Sequence, residues 1–421
     1  MSAGNTAFVL ICAALVLMMT PALAFFYGGL VRAKSVVSMM MLSFGSLAIV
    51  GTLWILYGYA ISFSGTSGDG FVGWNGVFGI NVGDLGLEGL MNAPVGPSGV
   101  PPLAFAAFQA TFAIITTALI SGAIADRAKF GSWLVFSALW ATLVYFPIAN
   151  WVFNAVRDDQ GNIVNGGWLV NNFHLLDFAG GTAVEINSGA AALALALVLG
   201  KRVGFAKGIH KPHNVPFVLL GAGLLWFGWF GFNAGSELAA DGIASVAFIN
   251  TMAAPATGIL GWLLVERIKD GKATSVGAAS GAVAGLVAAT PACAFLTPGW
   301  ACVMGFVAGV LCALAVELKF KLGFDDSLDV VGIHLVGGVI GTLIIGLVGT
   351  GVGLIFTGSF AQLGSQALAS VVVMVYSFGM TWLIGMGVEK TIGFRVKNED
   401  ELAGIDTILH GEEGYALETE Y

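Results

Sequence analysis

The feature that most constrains this chain is a series of long apolar stretches. A helix needs about 20 apolar residues to cross the hydrocarbon core of a bilayer. Eleven such stretches occur, separated by short loops that carry turn residues or charges. They predict an all-α membrane protein with eleven transmembrane helices in a lipid bilayer. The stretches begin near Thr6, Val36, Leu103, Ser132, Gly180, Val215, Gly242, Ser275, Thr297, Leu328 and Gln366.

The composition argues against a soluble globular domain. Of the 421 residues, 57% are apolar and only 10% are charged, whereas about a quarter of the residues in a soluble domain are charged. The 61 glycines favour close contacts between membrane helices. The four cysteines lie singly in apolar stretches and predict neither a disulfide nor a metal site. With no nucleotide-binding motif in the sequence, we expect no cofactor, no metal and no nucleic-acid partner.

The basic residues predict the orientation of the chain. If the N-terminus lies outside, 16 of the 17 basic residues fall in cytoplasmic segments and only Arg157 lies outside. This asymmetry follows the positive-inside rule and predicts a cytoplasmic C-terminus. The 16 residues are Arg32, Lys34, Arg127, Lys129, Lys201, Arg202, Lys207, Lys211, Arg267, Lys269, Lys272, Lys319, Lys321, Lys390, Arg395 and Lys397.

An odd number of spans favours two five-helix halves of opposite topology and one final helix. Such inverted repeats place a substrate site near the middle of the membrane. The predicted transmembrane domain covers residues 1–389, with repeats at about 5–200 and 215–350 and a final helix at about 366–389. Residues 390–421 form a cytoplasmic tail. A weak internal similarity supports the halves, since the first span ends in FFYGGL and the sixth in WFGFNAGS.

Polar side chains within the spans are the first candidate functional residues, because each is unfavourable in lipid unless it is paired or functional. Asp177 lies near the outer end of the fifth span, and Glu185 follows eight residues later, about 12 Å deeper in a helix. Glu185 is either a protonated structural carboxyl or part of a proton or cation relay. His334, in the tenth span, is the only histidine within a span. Asp329, at the inner end of that span, either favours the helix N-terminus or has a functional role.

Aromatic side chains form a second candidate group. Phe108 and Phe112 are four residues apart and lie on one helix face. The sixth span has several aromatic residues before Ser236. These rings are either packing residues or a cage for a small cation, whose charge ring faces attract. The aromatic residues of the sixth span are Trp226, Phe227, Trp229, Phe230 and Phe232.

Ordered motifs along nearly the whole chain resemble those of the ammonium transporter (Amt/Mep/Rh) family, on its Amt branch. The resemblance implies an eleven-helix subunit of a homotrimer, with one pore for ammonium or ammonia in each subunit. The motifs, in chain order, are FFYGGL, AFQATF, LDFAGGTAVEIN, GKRVGF with KPHN, GWFGFNAGS, ATPAC, DVVGIH and GIDTILHGEEGY.

The resemblance also implies roles for individual residues. At the outer recruitment site it places Phe108, Ser236 and the structural residue Asp177. The phenyl gate would be formed by Phe112 and Phe232. Along the pore it places Trp229 and Thr290, with Ser280 close by, and it makes His334 the second of two paired pore histidines.

Two positions depart from the family pattern. Most members have the first pore histidine at the position of Glu185, whereas this chain resembles a subset of fungal Mep proteins in having glutamate there. A Glu–His pair titrates as a coupled unit. We expect altered selectivity or pH dependence from this change. The second departure is an insertion after the fourth span. It leaves Trp151, Phe153 and Trp168 as alternatives for the outer aromatic residue of the recruitment site, and Trp168 is included in the predicted site.

These features predict ammonium transport across the cell (inner) membrane. Ammonium would be deprotonated at the outer face and would pass as ammonia, with a proton relay through Glu185 and His334. The alternatives are an electroneutral ammonia channel and an ammonium sensor. An enzyme is the weakest interpretation, because the sequence has no nucleophile triad or metal-ligand constellation. The family tail further implies a cytoplasmic PII-type signal protein as a partner.

Overall fold

Eleven membrane-length helices make up most of the protein. The computed structural model describes residues 1–63, 71–74, 76–157, 163–205 and 211–415. Within these residues, eleven helices are long and apolar enough to cross a membrane, which confirms the predicted fold class. In chain order the spans are Ala3–Leu30, Ala33–Ser62, Pro102–Ile124, Phe130–Phe153, Gly181–Leu199, Val215–Gly235, Gly242–Lys269, Ser275–Ala292, Pro298–Leu322, Val331–Val348 and Ala361–Thr391.

The final span is longer at both ends than the predicted 366–389. A helix continues beyond the apolar core of a membrane until a turn ends it. Here the helix runs to Thr391, and Gly393 then adopts a positive φ of 72° while its N–H donates to the carbonyl of Val388. This is a common way for a helix to end. Because the number of spans is odd, the two termini lie on opposite sides, called here the N-face and the C-face.

Glycines bring the first and sixth spans into close contact. A Cβ atom added at Gly221 would lie 2.3 Å from the backbone nitrogen of Phe26. At Gly228 it would lie 2.3 Å from Cγ of Met19. Only small residues allow helix backbones to approach this closely. The contact joins the first helices of the two predicted five-helix halves.

Four of the spans contain a π-helical turn, in which one extra residue widens the helix. In two of them, Gly181–Ile186 and Val331–Leu335, this turn begins the span and carries a polar residue named above. The other two turns lie inside the second and fourth spans, at Trp54–Gly58 and Ala141–Tyr145. Such turns often occur at functional sites.

Two small hairpins lie on the N-face. Strands β1 (Phe71–Trp74) and β2 (Phe78–Asn81) pair antiparallel, and so do β3 (Ala155–Arg157) and β4 (Ile163–Gly166). The N–H of Trp168 donates to the carbonyl of Gly76 at 3.0 Å, which joins the hairpins. The short helices of this face are Val82–Met91, Trp168–Asn172 and Leu354–Thr357.

Buried charges join the loops of the C-face. Arg202 donates from Nε and Nη2 to the two carboxylate oxygens of Asp325 at 2.9 Å, and it also contacts Asp126. Burial by itself raises the pKa of Asp325. The hydrogen bonds and charges of Arg202 and Arg127 outweigh this effect and hold that pKa below its ordinary value.

The chain after the last span folds back onto the C-face. It contains the short helices Asn398–Ala403 and Ile405–His410. Glu401 accepts hydrogen bonds from the N–H of Val203 and from Arg395. Asp406 accepts the N–H groups of Val37 and Ser38 and so caps the second span. Lys207 and the last six residues of the predicted tail, 416–421, lie outside the described residues.

Candidate conduction site

Asp177 caps the N-terminus of the fifth span. Its Oδ1 accepts the N–H groups of Gly180 and Gly181 at 2.8 and 2.6 Å. Its Oδ2 accepts the N–H and the hydroxyl of Thr182 at 2.7 and 2.5 Å. The residue therefore lies in the loop before the helix, and Gly180 makes the turn with a φ of 119°. The expectation that Asp177 and Glu185 share one continuous helix is wrong in this detail.

Glu185 and His334 form a buried pair. Oε2 of Glu185 lies 2.7 Å from Nδ1 of His334, although the residues are 149 positions apart in the chain. Glu185 has no exposed surface and His334 is 3% exposed. Each residue lies in a π-helical turn at the start of its span, the fifth and the tenth. The two spans thus bring a carboxyl and an imidazole together inside the bundle.

Two glycines make this pairing possible. A Cβ atom at Gly338 of the tenth span would lie 2.8 Å from Cβ of Glu185. A Cβ atom at Gly189 of the fifth span would lie 2.4 Å from the backbone nitrogen of Leu335, next to His334. Each of the two spans therefore provides a glycine against which the polar segment of the other span packs.

Asp326, and not Asp329, caps the tenth span. Its carboxylate accepts the N–H groups of Val330 and Val331 at 3.1 and 2.7 Å. Asp329 instead accepts from Nζ of Lys319 at 2.6 Å and has a positive φ of 66°. Burial raises the pKa of Asp326 to about 6, against the opposing charge of Lys319. Asp329 therefore lies at the start of the helix, as expected, but its carboxylate pairs with Lys319 and does not accept the backbone N–H groups there.

A pair of stacked phenyl rings covers the approach to the buried pair. The rings of Phe112 and Phe232 have centroids 4.2 Å apart and an interplanar angle of 26°. The ring of Phe108 meets that of Phe112 edge-on at 4.9 Å. All three side chains are at most 1% exposed. The structure thus brings together the two rings of the predicted gate and Phe108, which was predicted for the recruitment site.

The described ring contacts distinguish the three candidates for the outer aromatic residue. The ring of Phe153 lies 6.3 Å from that of Phe112. The ring of Trp168 instead contacts Trp151 and Phe173, each at 5.5 Å. Phe153 is therefore the candidate that the structure places beside the gate. Ser236, at the end of the sixth span, donates its hydroxyl to the carbonyl of Phe232 at 2.8 Å.

A narrow cavity extends from the gate to the buried pair. Its lining is mostly apolar, with polar atoms contributed by Glu185, His334 and Trp229. Ser280 is buried in the eighth span, but the lining residue of that span is Val283. The cavity is lined by Met19, Leu23, Phe26, Ile115, Leu119, Val184, Glu185, Leu225, Trp229, Phe232, Val283 and His334.

Trp229 and Thr290 connect the gate to the pair. Nε1 of Trp229 donates to Oγ1 of Thr290 at 2.9 Å, and its ring lies 5.7 Å from that of Phe232. Oγ1 of Thr290 lies 3.5 Å from Oε1 of Glu185. Thr290 therefore lies between Trp229, which packs beside the gate, and the Glu185 carboxyl, and its hydroxyl oxygen also lies 3.0 Å from the carbonyl oxygen of Leu286.

Gln366 is a residue whose role the sequence did not reveal. Its Oε1 accepts the N–H of Leu176 at 3.0 Å, and its Nε2 donates to the carbonyl of Leu176 at 2.7 Å. Nε2 also donates to the carbonyl of Thr342. The side chain is completely buried. It holds the main chain next to Asp177, and the available signal was a glutamine with no charged neighbour at the start of an apolar span.

Among the described residues, no group of three or more His, Cys, Asp or Glu side chains is placed to hold a metal ion. The polar centre of the site is instead the Glu185–His334 pair within an apolar lining. Such a pair can hold and transfer a proton, because each partner can act as donor or acceptor.

Known proteins resemble this chain along nearly its whole length. The sequence profile of the Ammonium Transporter Family matches residues 7–415. An ammonium transporter of Mycobacterium bovis is 52% identical over 433 aligned residues, which cover 98% of this chain and 90% of that protein. The crystal structure of Saccharomyces cerevisiae Mep2 aligns with a TM-score of 0.83 at 34% identity, covering 94% of this chain and 91% of the other. A structure named Sensor Amt Protein aligns with a TM-score of 0.86 at 27% identity, covering 97% and 98%. The chain therefore belongs to the Ammonium Transporter Family.

Proposed function

We propose that this protein transports ammonium across a membrane by passing ammonia and its proton along separate routes. The observation that carries the proposal is the buried Glu185–His334 pair at the end of an apolar cavity closed by Phe112 and Phe232. Family membership and relatives named ammonium transporters support the substrate. The N-face is the outer face in this proposal, as the distribution of basic residues predicts.

The apolar gate explains how ammonium is separated from potassium. Moving an intact ion into an apolar passage is strongly unfavourable, because its hydration shell is not replaced. Potassium has no proton to lose, whereas ammonium can leave its proton behind and continue as neutral ammonia. The stacked rings of Phe112 and Phe232 therefore oppose both ions but allow ammonia to pass when they move.

Recruitment takes place on the N-face of the gate. We assign Phe108, Phe153 and Ser236 to this site, with Asp177 holding the adjacent loop through four hydrogen bonds. Ring faces attract a small cation, and a hydroxyl oxygen accepts one of its N–H groups. The ring contacts support Phe153 as the outer aromatic residue, since it lies next to Phe112.

The proton follows the Glu185–His334 pair. Oε2 and Nδ1, at 2.7 Å, share one proton, which is held either by the carboxyl or by the imidazole. In the second case the two side chains form an ion pair, so that the charge is compensated inside the membrane. Because a Glu–His pair titrates as a coupled unit, we expect its pH profile to differ from that of two histidines.

The assembly and regulation also follow from the family resemblance. We propose a homotrimer in the cell (inner) membrane, tested by native mass spectrometry of the detergent-purified protein.

The folded-back tail, held by Glu401 and Asp406, is the proposed docking region for a PII-type signal protein. Deleting residues 404–421 should abolish PII binding in a pull-down, whereas retained binding would remove the tail from the proposal.

Current across a solid-supported membrane carrying the purified protein tests the function. A jump in ammonium concentration should produce current, and an equal jump in potassium should produce none. No current with either ion, together with measurable ammonia flux, would favour an electroneutral ammonia channel. Current with both ions would show that the pore does not exclude potassium. If Glu185→His left the rate, the pH profile and potassium exclusion unchanged, the carboxyl would have no special role.

An ammonium sensor is the second candidate function. It is favoured by the structural match to the protein named Sensor Amt Protein, at 27% identity. A sensor would bind ammonium without sustained transport, so binding measured by calorimetry without ammonium-driven current would support it. Sustained current would favour transport.

A further inference from the structure

The hydroxyl of Thr290 has three neighbours but only one hydrogen. Oγ1 accepts a hydrogen bond from Nε1 of Trp229 at 2.9 Å. It lies 3.0 Å from the carbonyl oxygen of Leu286 and 3.5 Å from Oε1 of Glu185. Both of these oxygens can accept a hydrogen bond, but a threonine hydroxyl supplies one O–H. The hydroxyl therefore has to be directed to one oxygen or the other.

The two acceptors differ in their need for that hydrogen. Leu286 lies inside the helix Ser275–Ala292, where its carbonyl accepts from the backbone four residues later. Oε1 of Glu185 is completely buried, and Thr290 is its one hydrogen-bond partner among the described residues. A buried carboxylate oxygen without a donor is strongly unfavourable. An ionised Glu185 therefore attracts the hydroxyl, whereas a neutral Glu185 leaves it with Leu286.

We propose that Thr290 is a positioning residue whose hydroxyl turns to Oε1 of Glu185 when the proton moves to His334 and returns to Leu286 when the proton moves back. This inference rests on the proposed function, because it concerns the same proton relay. In the transfer, the O–H bond at Oε2 breaks and an N–H bond at Nδ1 forms. No other covalent bond is made or broken. Trp229 keeps its bond to Oγ1 in both states.

The surroundings of Thr290 suit this role, because its backbone and hydroxyl oxygen are both held. Its carbonyl accepts the N–H of Ala179, in the loop anchored by Asp177, at 3.2 Å. Trp229 fixes the hydroxyl oxygen from the side of the gate. Only the O–H direction remains free. A bond that Thr290 accepts from Trp229 also strengthens the one that it donates, because hydrogen bonds in a chain polarise one another.

Among the described residues, three titratable groups interact electrostatically with Glu185. They are His334 from the tenth span, Tyr27 from the first, and Asp177 from the loop before its own span. The eighth span has no titratable side chain and provides the Thr290 hydroxyl. A change at Thr290 therefore alters one neutral donor and leaves the charges around the pair in place.

Infrared difference spectroscopy of the purified protein in lipid tests the proposal without relying on transport. The protonated carboxyl band that disappears in Glu185→Gln identifies Glu185, and its intensity is followed against pH. Thr290→Val has a similar shape but lacks the hydroxyl. We expect Thr290→Val to move the midpoint of the band to higher pH by about half to one unit, because the carboxylate loses a donor. This is a change of about three- to tenfold in the proton concentration at the midpoint. Thr290→Ser keeps the hydroxyl and should change the proton concentration at the midpoint by less than about twofold.

Trp229→Phe provides a second test, because it removes only the N–H donor to Oγ1 and preserves an aromatic ring. It should move the midpoint in the same direction as Thr290→Val, but less. The proposal would be overturned if the proton concentration at the midpoint in Thr290→Val were within about twofold of that in the unmodified protein. Equal shifts in the Val and Ser variants would also overturn it. If the unmodified protein gave no ammonium-driven current, the proposed function would be contradicted. The band midpoints would still be measurable, so the role of Thr290 is tested separately.

Discussion

The fifth and tenth spans use the same local design in opposite halves of the protein. In each, an aspartate caps the helix start, a π-helical turn follows, and a polar pore residue lies eight positions after the aspartate. Asp177 precedes Glu185, and Asp326 precedes His334. The caps differ in their surroundings. Asp177 is partly exposed and accepts four hydrogen bonds, whereas Asp326 is 1% exposed and accepts two backbone N–H groups.

The comparison shows that one helix-capping arrangement serves two purposes. The N-face cap accepts four hydrogen bonds at the point where the proposed function has a cation enter. On the C-face, burial outweighs the nearby Lys319 and raises the pKa of Asp326 to about 6. The two spans are therefore alike in backbone geometry and unlike in the burial and hydrogen bonding of their caps. The following predictions test this difference, beginning with the largest expected effect.

Removing the charge of the N-face cap should have the largest effect. In Asp177→Asn, an amide nitrogen replaces one acceptor oxygen, so that two of the four donors lose their partner. Hydrogen bonds to charged groups contribute about 1.5–3 kcal/mol each, and we expect ammonium transport to fall about 100-fold or more. Uptake of labelled methylammonium, provided that the unmodified protein accepts it, or ammonium-driven current measures this loss.

Asp241→Asn is a matched control for this variant. Asp241 also caps a helix on the N-face, accepting the N–H groups of Ile243 and Ala244, but it is exposed. Its substitution should change transport by less than about twofold, because a surface cap contributes about 1 kcal/mol to stability and touches no pore residue. Equal losses in the two variants would mean that Asp177 acts only on stability.

The C-face cap should have an intermediate effect that depends on pH. We expect Asp326→Asn to reduce transport about tenfold, since it replaces one of the two acceptors of the backbone N–H groups. The raised pKa means that the folded state holds the proton more tightly than the unfolded state does. Asp326 thus favours the fold at low pH, and this contribution is lost as pH rises through about 6.

Thermal unfolding in detergent between about pH 4 and pH 7 measures this contribution. The melting temperature of Asp326→Asn should rise relative to that of the unmodified protein as pH increases, because asparagine has no proton to lose. A difference in melting temperature that stays constant with pH would show that the two caps do not differ in the way described.

Gln366 tests whether the N-face loop needs support from the last span. Gln366→Met removes both hydrogen bonds to Leu176 and leaves its main chain unpaired. We expect an increase of about fivefold in the KM for ammonium with a smaller change in maximal rate, because the loop anchored by Asp177 is less well positioned. Ser365→Ala, at the neighbouring position of the same helix and partly exposed, is the control and should change KM by less than about twofold. Similar KM values in both variants would argue against a positioning role.

The smallest expected effect concerns the outer aromatic residue. Phe153→Leu should raise the KM for ammonium about threefold, since it removes a ring face that contributes about 0.5–1 kcal/mol to cation binding. Trp168→Phe should leave KM within about twofold, because that ring packs on Trp151 and Phe173. A larger increase in KM for Trp168→Phe than for Phe153→Leu would assign Trp168, and not Phe153, to the recruitment site.

Sequence patterns were sufficient for the spans but not for several contacts. Span existence depends on local hydropathy, which the sequence contains directly. The Glu185–His334 contact depends on how two distant spans cross, and sequence alone left the role of Glu185 open. Asp326 and Asp329 are equally plausible caps in DSLD, and only the backbone conformation distinguishes them. The insertion after the fourth span similarly hid the position of Phe153.

The central claim is that the Glu185–His334 pair carries the proton while ammonia passes separately. Simultaneous measurement of current and ammonia flux in Glu185→Gln, reconstituted in liposomes beside the unmodified protein, tests it most directly. Glutamine has a similar shape but cannot exchange a proton with His334. The account predicts that the current is lost while ammonia flux, measured from the internal pH change, continues. Current that persists at the same ratio to flux would contradict it.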